Sequence, residues 1–209
     1  MRRVLLSSLA LLGAASAASF AGFTIKPYGN EKLNLETGTT VLAGGGVATD
    51  ARLGITVDAK YIEYKQGDSL SAKNAKLTTT DGGVLSGDAV RYDAKSGVLS
   101  ARGNLVYNDA RVKGLTAPSI SFDTRGKLAV ATGGVKSVTP AMSAATAVVD
   151  YAGRRAVMYG NYEYVNGGTK LRGTRPTSVL RVSWDAQNKL SANTKPTAAQ
   201  LQPYQQYLK

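Results

Sequence analysis

A phrase of about 20 residues returns along this chain at a spacing of about 30, and that repeat limits what the chain can fold into more than any other feature. Its clearest copy is GDAVRYDAKSGVLSARGNLVY, residues 87–107. It is followed by APSISFDTRGKLAVATGGVKS (117–137), ATAVVDYAGRRAVMYGNYEY (145–164) and PTSVLRVSWDAQNKLSAN (176–193), and preceded by a looser copy, DAKYIEYKQGDSLSAKNAKL (58–77). Each copy reads as a strand, an aromatic or apolar residue followed by a polar turn-former, a short turn, a second strand, and then a second turn centred on glycine.

From about Thr39 to Ala192 apolar residues recur with period two and almost nowhere with the 3.6-residue period of a helix. A unit of two strands cannot bury its apolar face alone, whereas stacked hairpins share one long core. The pattern therefore predicts an all-β protein, an elongated antiparallel roll of hairpins, whose end strands must be covered or must pair with another strand. Asp93, Asp123, Asp150 and Asp185 close the first strand in four copies, where a carboxylate can accept from backbone N–H groups two residues on. Calcium ligation is the other use of repeated aspartates, but one carboxylate per repeat is a sparse ligand set. Gly97, Gly126, Gly153, Gly103, Gly133 and Gly160 fall where a positive φ or a sharp corner is expected.

The first residues read as an address. Arg2 and Arg3 precede an apolar run from Val4 to Ala15, and Ala15-Ser16-Ala17 supplies the small residues of a signal-peptidase site. The run is shorter than the roughly 20 residues that span a bilayer, so residues 1–17 are expected to be a cleaved signal peptide and the mature protein periplasmic or otherwise in the cell envelope. There is no cysteine, which excludes disulfides and a lipoprotein anchor, and no histidine, which excludes Ser-His and Cys-His nucleophiles and histidine metal sites. The 14 carboxylates are scattered, and Gly44-Gly45-Gly46 lacks the lysine and helix of a phosphate loop. No enzyme, metal or cofactor is expected. The formal charge of +12, or +10 without Arg2 and Arg3, either attracts an anionic partner or simply keeps the protein soluble. Nucleic acid is not the expected partner, since lysines and arginines are spread one or two per strand and export removes that ligand.

The order Gly-Asp, apolar, Tyr92-Asp93, turn, Gly97-Val98-Leu99, then Gly103-Asn104 and an apolar residue resembles the organic-solvent-tolerance (OstA-like) family, which includes the periplasmic lipopolysaccharide-transport proteins LptA and LptC. The resemblance is strongest over 87–107 and extends across roughly 40–193. It implies an OstA-like β-jelly-roll domain at 39–194, which leaves, outside the resemblance, the signal at 1–17, an N-terminal segment at 18–38 and a flexible tail at 195–209. It further implies an open jelly roll, or β-taco, whose apolar interior holds acyl chains of a lipopolysaccharide-like envelope glycolipid. Self-association head to tail, or stacking on other envelope proteins through edge strands, would then bridge the membranes.

The family has no catalytic or metal residues to carry over, so the implied site is the inward row. This row comprises Ile55, Val57, Tyr61, Val90, Tyr92, Leu99, Leu105, Ile120, Phe122, Leu128, Val130, Val148, Met158, Tyr162 and Trp184. Arg91, Arg102, Lys113 and Arg181 are the candidates for anionic head groups. Small residues at interior positions, Ala89, Ala101, Ala129, Ala131 and Ala147, leave two readings open. One is a groove that takes lipid. The other is a roll filled by its own side chains, a structural or interaction protein of the envelope or surface layer. The tail, KPTAAQLQPYQQYLK, reads either as a flexible extension or as an amphipathic turn in which Leu201, Tyr204 and Leu208 dock on a sheet edge.

Overall fold

The computed structural model describes residues 18–150, 152–187 and 189–208, so the expected signal segment lies outside the described residues. Five short strands come first: β1 (Ala18–Phe20), β2 (Phe23–Pro27), β3 (Lys32–Asn34), β4 (Thr39–Leu42) and β5 (Gly46–Asp50). Seven long ones follow: β6 (Ile55–Lys65), β7 (Ser69–Thr79), β8 (Val84–Asp93), β9 (Val98–Asn108), β10 (Leu115–Asp123), β11 (Leu128–Ser137) and β12 (Ala141–Asp150). The last five are short again: β13 (Arg155–Tyr159), β14 (Tyr162–Asn166), β15 (Thr169–Gly173), β16 (Val179–Trp184) and β17 (Leu190–Asn193). All 17 belong to one unclosed antiparallel sheet, which is the all-β roll the repeat predicts. Residues 18–38, which the resemblance does not cover, contribute β1 to β3 to that same sheet.

Strands β6 to β12 pair in sequence order, each with the next. Beyond them the sheet divides. Ile55–Ala59 of β6 pair with β5, which continues to β2 and β1, while Ile62–Lys65 pair with β4, which continues to β3. At the other end the second half of β12 pairs with β13, leading to β16 and β17, and its first half pairs with β14, leading to β15.

The division follows a crease that crosses every long strand. Along β6 the buried residues run Ile55, Val57, Ala59, then Ile62 and Tyr64; along β7, Leu70 and Ala72, then Ala75 and Leu77. The same odd step separates Leu85 from Val90, Ala117 from Ile120 and Ala144 from Ala147. Because side chains alternate with period two, an odd step re-aims the second half of a strand toward the same interior as the first. Strands β9 and β11 cross the crease on Gly103-Asn104 (φ 76° and 47°) and Gly133-Gly134 (φ 87° and 100°), and the registers of β8 with β9 and of β11 with β12 shift beside them. Gly103 and Gly133 are therefore not second turns, as the sequence suggests, but bends inside strands. The turns themselves fall later, at 109–114 and 138–140.

Two leaves result, and they bury their apolar rows against each other. Ile55, Val57 and Leu85 from one side of the crease share a core with Ile62, Tyr64 and Leu99 from the other. The Asp turns form as expected. Asp93 Oδ1 accepts from the Ser96 N–H (2.8 Å), Asp123 Oδ1 from Arg125 and Gly126 (3.0 and 2.9 Å), Asp150 Oδ1 from Gly153 (2.6 Å), and Asp185 Oδ1 from Gln187 and Lys189 (3.0 and 2.8 Å). The Ser96 backbone N–H holds the Asp93 carboxyl below its ordinary range. In the Asp123 and Asp150 turns the positive φ sits on Lys127 and Arg154, not on Gly126 and Gly153.

The tail departs from the expected flexible extension. Thr197 opens a helical turn (Ala198–Leu201) with a capping box, its hydroxyl accepting from the Gln200 N–H while Gln200 Oε1 accepts from the Thr197 N–H (3.3 and 3.0 Å). A 3₁₀ stretch (Gln202–Tyr207) then buries Tyr204 against Leu128, Val130, Val148 and Val157 on the outer face of β11 to β13, where its hydroxyl donates to Asp150 Oδ2 (3.2 Å). The docking residues are those of the amphipathic alternative, but they cover a sheet face instead of an edge. Outward valines on three adjacent strands supply the partner that a reading of the tail alone lacks.

Replacing Gly133 by valine should cost more than about 1–2 kcal/mol, because an L side chain is strained at φ 87° and its Cβ would press on the Pro118 ring at 3.0 Å. Thr132→Val, one residue earlier and exposed, should stay within about 0.5 kcal/mol in the same urea titration. Ending the chain after Pro196 should cost about 3–5 kcal/mol, as for loss of a buried aromatic. Tyr204→Phe, which loses only the bond to Asp150, should cost about 1 kcal/mol by urea unfolding.

Candidate functional site

The interior between the leaves is not uniform along the roll. At the β1 end three large side chains fill it: Phe20, Phe23 and Ile25 are all but fully buried. Phe20 crosses to Tyr64 and Tyr92 (ring centroids 6.0 and 6.4 Å), and Phe23 meets Tyr92 at 5.2 Å. Toward β12 and β13 the inward positions of one leaf carry Ala129, Ala131, Ala147 and Ala156, facing Leu115, Met142 and Tyr164 of the other. Four methyl groups fill much less space than four branched or aromatic side chains, and close packing is not reached there. A narrow apolar cavity of about 80 Å³ remains, with Trp184, Arg111 and Arg154 at its entrance. That is roughly half the size of an engineered cavity that takes up benzene.

Ten of the expected groove residues face this interior and are buried: Ile55, Val57, Val90, Tyr92, Leu99, Leu105, Ile120, Phe122, Met158 and Tyr162. Trp184 is half-buried at the cavity entrance. Only Ile120, Phe122, Met158 and Trp184 of the whole set touch the cavity. Four expectations are corrected. Tyr61 sits just past the crease and points outward, under Lys73 Nζ (4.9 Å to the ring) with its hydroxyl donating to Glu63 (2.8 Å); Ile62 and Tyr64 take the inward places. Leu128, Val130 and Val148 are buried, but on the outer face beneath Tyr204. The alternating partners on those strands, Ala129, Ala131, Ala147 and Val149, line the cavity. Burial of the valines comes from the tail, which period-two reasoning about a two-sided strand does not include.

The head-group candidates also separate. Arg91 and Arg102 are exposed on the outer face, alternating with inward Val90, Tyr92 and Ala101; Arg91 Nη1 donates to Ser71 (3.2 Å). Arg181 lies between inward Leu180 and Val182, so it too is on the outer face. Lys113 alone stands at the rim, in the loop between β9 and β10, where it bridges to Thr139. The cations that do line the clefts of the mouth, Arg52, Arg111, Lys127 and Arg154, come from turns, and a strand-based search passes over them.

The rim loop is built around Asp109. Its buried carboxylate accepts from the N–H groups of Arg111 and Val112 (2.7 and 2.6 Å) and from the Tyr107 hydroxyl (3.2 Å), and Arg111 adds an ion pair at 3.5 Å. Asn108 Oδ1 takes the Gly114 N–H (2.8 Å), closing the loop at its far end. Burial, then the nearby Asp109 charge, raises the Tyr107 phenol well above its ordinary value, so it stays a donor throughout the physiological range. Two wetter clefts flank this loop along the open side of the leaves, of about 460 and 340 Å³.

No protein-family model matches the chain, and no curated protein matches it. Twelve chains among the solved structures do. One is LptH, described as the LptA homologous periplasmic component of the conserved lipopolysaccharide transport device from Pseudomonas aeruginosa. Its sequence is 13% identical, the TM-score is 0.46, and the match covers 53% of this chain and 81% of LptH.

Asp109→Ala should strand two backbone donors and the Tyr107 hydroxyl, at a cost of about 1–3 kcal/mol. Hydrogen exchange should then quicken at Arg111 and Val112 while the amides of β9 keep their protection, a pattern readable by mass spectrometry of peptides from the intact protein.

Proposed function

We propose that this protein is an exported, non-catalytic carrier in the cell envelope. In this reading it holds acyl chains of a lipopolysaccharide-like glycolipid between the leaves of its sheet and stacks through its edge strands to bridge membranes. The observation that carries the reading is the apolar cleft enclosed by two leaves of one unclosed sheet, lined by Ile120, Phe122, Met142, Met158 and Tyr164. An apolar cleft gains about 0.8 kcal/mol for each methylene it removes from water, so chains can be held with no polar motif. The resemblance of residues 87–107 to the OstA-like phrase supports the same reading. So does the charge, +12 for the whole chain and +10 without Arg2 and Arg3, which favours a phosphate-bearing partner.

Each end of the sheet supports stacking. Strands β1 and β3 at one end, and β15 and β17 at the other, each pair with a single neighbour among the described residues, leaving backbone donors and acceptors on their outer side. Among the described residues no helix is long and apolar enough to cross a membrane. The filled interior at the β1 end favours a second reading, a structural or interaction protein of the envelope using the same roll.

Native mass spectrometry of protein purified from its own envelope separates the two. The carrier reading expects bound species heavier than the protein by the mass of an acylated lipid, lost on organic extraction, and a sedimentation coefficient that rises with concentration. Protein free of lipid and strictly monomeric at high concentration would sink it in favour of the structural reading.

A further inference from the structure

We infer that the cleft takes one alkyl chain with an anionic head, the chemistry shared by a fatty acid and a monoacyl phospholipid, and that it takes it only in the β10 to β16 half of the roll. The inference rests on the carrier reading of the same cleft, and it replaces that reading's cargo, the several acyl chains of a glycolipid, by a single chain in one compartment.

The compartment is bounded first by the aromatic plug. Phe20 and Phe23, packed on Tyr64 and Tyr92, occupy the space between the leaves at the β1 end, so no chain can run the length of the interior without displacing them. The void is then shaped by its walls, where Ala131, Ala147 and Ala156 leave the space and Met142 and Met158 also line it. Methionine side chains are unbranched and have three rotatable bonds, so they are the parts of this wall that give when a slender ligand enters. A cavity of about 80 Å³ widened in this way suits one chain and not a bundle of them.

A buried polar atom on a residue of the cavity wall points to the ligand independently. Tyr164 lines the cavity, and its hydroxyl is buried and makes no hydrogen bond of proper geometry, although Asn166, which lines the neighbouring wetter cleft, stands near it. An unpaired buried hydroxyl costs about 1–3 kcal/mol, which an acceptor oxygen on the entering ligand, such as a carboxylate, ester or hydroxyl, removes. The mouth supplies the charge. Arg111 is held by Asp109, and Asp150 is occupied by Gly153 and Tyr204. Among the described residues Arg154 donates only to a neutral acceptor, the Asp185 carbonyl oxygen (3.2 Å), and so keeps its positive charge for an anionic head. Trp184, the one tryptophan of the chain, stands between the cavity and the outer cleft and reports on both.

The test titrates the full mature protein with palmitate, a monoacyl glycerophosphate and hexa-acylated lipid A, reading Trp184 fluorescence for affinity and native mass spectrometry for stoichiometry. The expected result is one single-chain ligand per protein that lipid A does not displace. Affinity should fall at least tenfold in Ala147→Phe, which fills the void, and about fivefold in Arg154→Gln, an exposed change that leaves the core untouched. Comparing palmitate with the glycerophosphate shows which head is preferred, and either outcome supports the inference. If lipid A binds while neither single-chain probe does, the inference is overturned and the carrier reading stands. If none of the three binds, both are overturned. Single-chain binding unchanged by both substitutions, or at several copies per protein, overturns the compartment as drawn.

Discussion

The crease across β6 to β12 is the constraint on which the rest of the structure depends. A regular strand of ten or eleven residues sends alternate side chains to opposite faces for its whole length, and a sheet of such strands has one apolar face with nothing to cover it. Here β6, β7, β8, β10 and β12 break the alternation at one level, and β9 and β11 bend there on Gly103-Asn104 and Gly133-Gly134, so that each half aims its apolar row at the other half. One sheet becomes two layers without a second sheet, a helix or a disulfide. The division of the sheet ends follows from the same cause: once β6 and β12 are bent, their halves diverge and a single straight neighbour cannot pair with both, so β4 with β5, and β13 with β14, are each a pair of short strands.

Given that backbone, what the interior can hold is decided by side-chain volume. The β1 end and the β12 end are built on the same crossed leaves, yet one is filled by phenylalanines packed on tyrosines and the other is walled by alanines. Small interior residues are ambiguous in a sequence, because an alanine can mean either a tight approach of the leaves or a gap between them. In this structure the alanines of β11 to β13 leave a gap, since the opposite leaf presents Leu115, Met142 and Tyr164 at a separation those residues do not fill.

The repeat and the period-two pattern made the fold class legible, down to the Asp turns, because both are local: a carboxylate reaches N–H groups two or three residues on, and alternation is read within one strand. What failed was what depends on another part of the chain. Gly103 and Gly133 look like turn glycines, and only their position within the paired registers shows that the chain continues straight on through a bend. Tyr61 looks like the next member of an inward row, because nothing in its own strand announces the slip at Lys60. Val130 and Val148 are apolar for a tail that docks more than 50 residues later in the chain. Of the candidate site, the wall residues with large side chains were partly legible; the alanines, the turn arginines and Tyr107 were not, because cavities are made by what is small and mouths by what lies between elements.

The open edges raise a question of specificity that the same physics answers. Four strands with one open edge each would make a protein prone to indiscriminate sheet extension, yet β1, β3, β15 and β17 are short, from three to five residues. Two of them carry charge, Lys32 on β3 and Lys170 with Arg172 on β15, and Lys170 is already paired to Glu163. A short, basic edge gains too few backbone hydrogen bonds to recruit an arbitrary strand and repels another basic edge, whereas the uncharged edges β1 and β17 carry no such repulsion. The basic edge can still accept a partner strand that brings carboxylates at the matching spacing. Any stacking through these ends is therefore selected by charge before it is stabilised by the ladder.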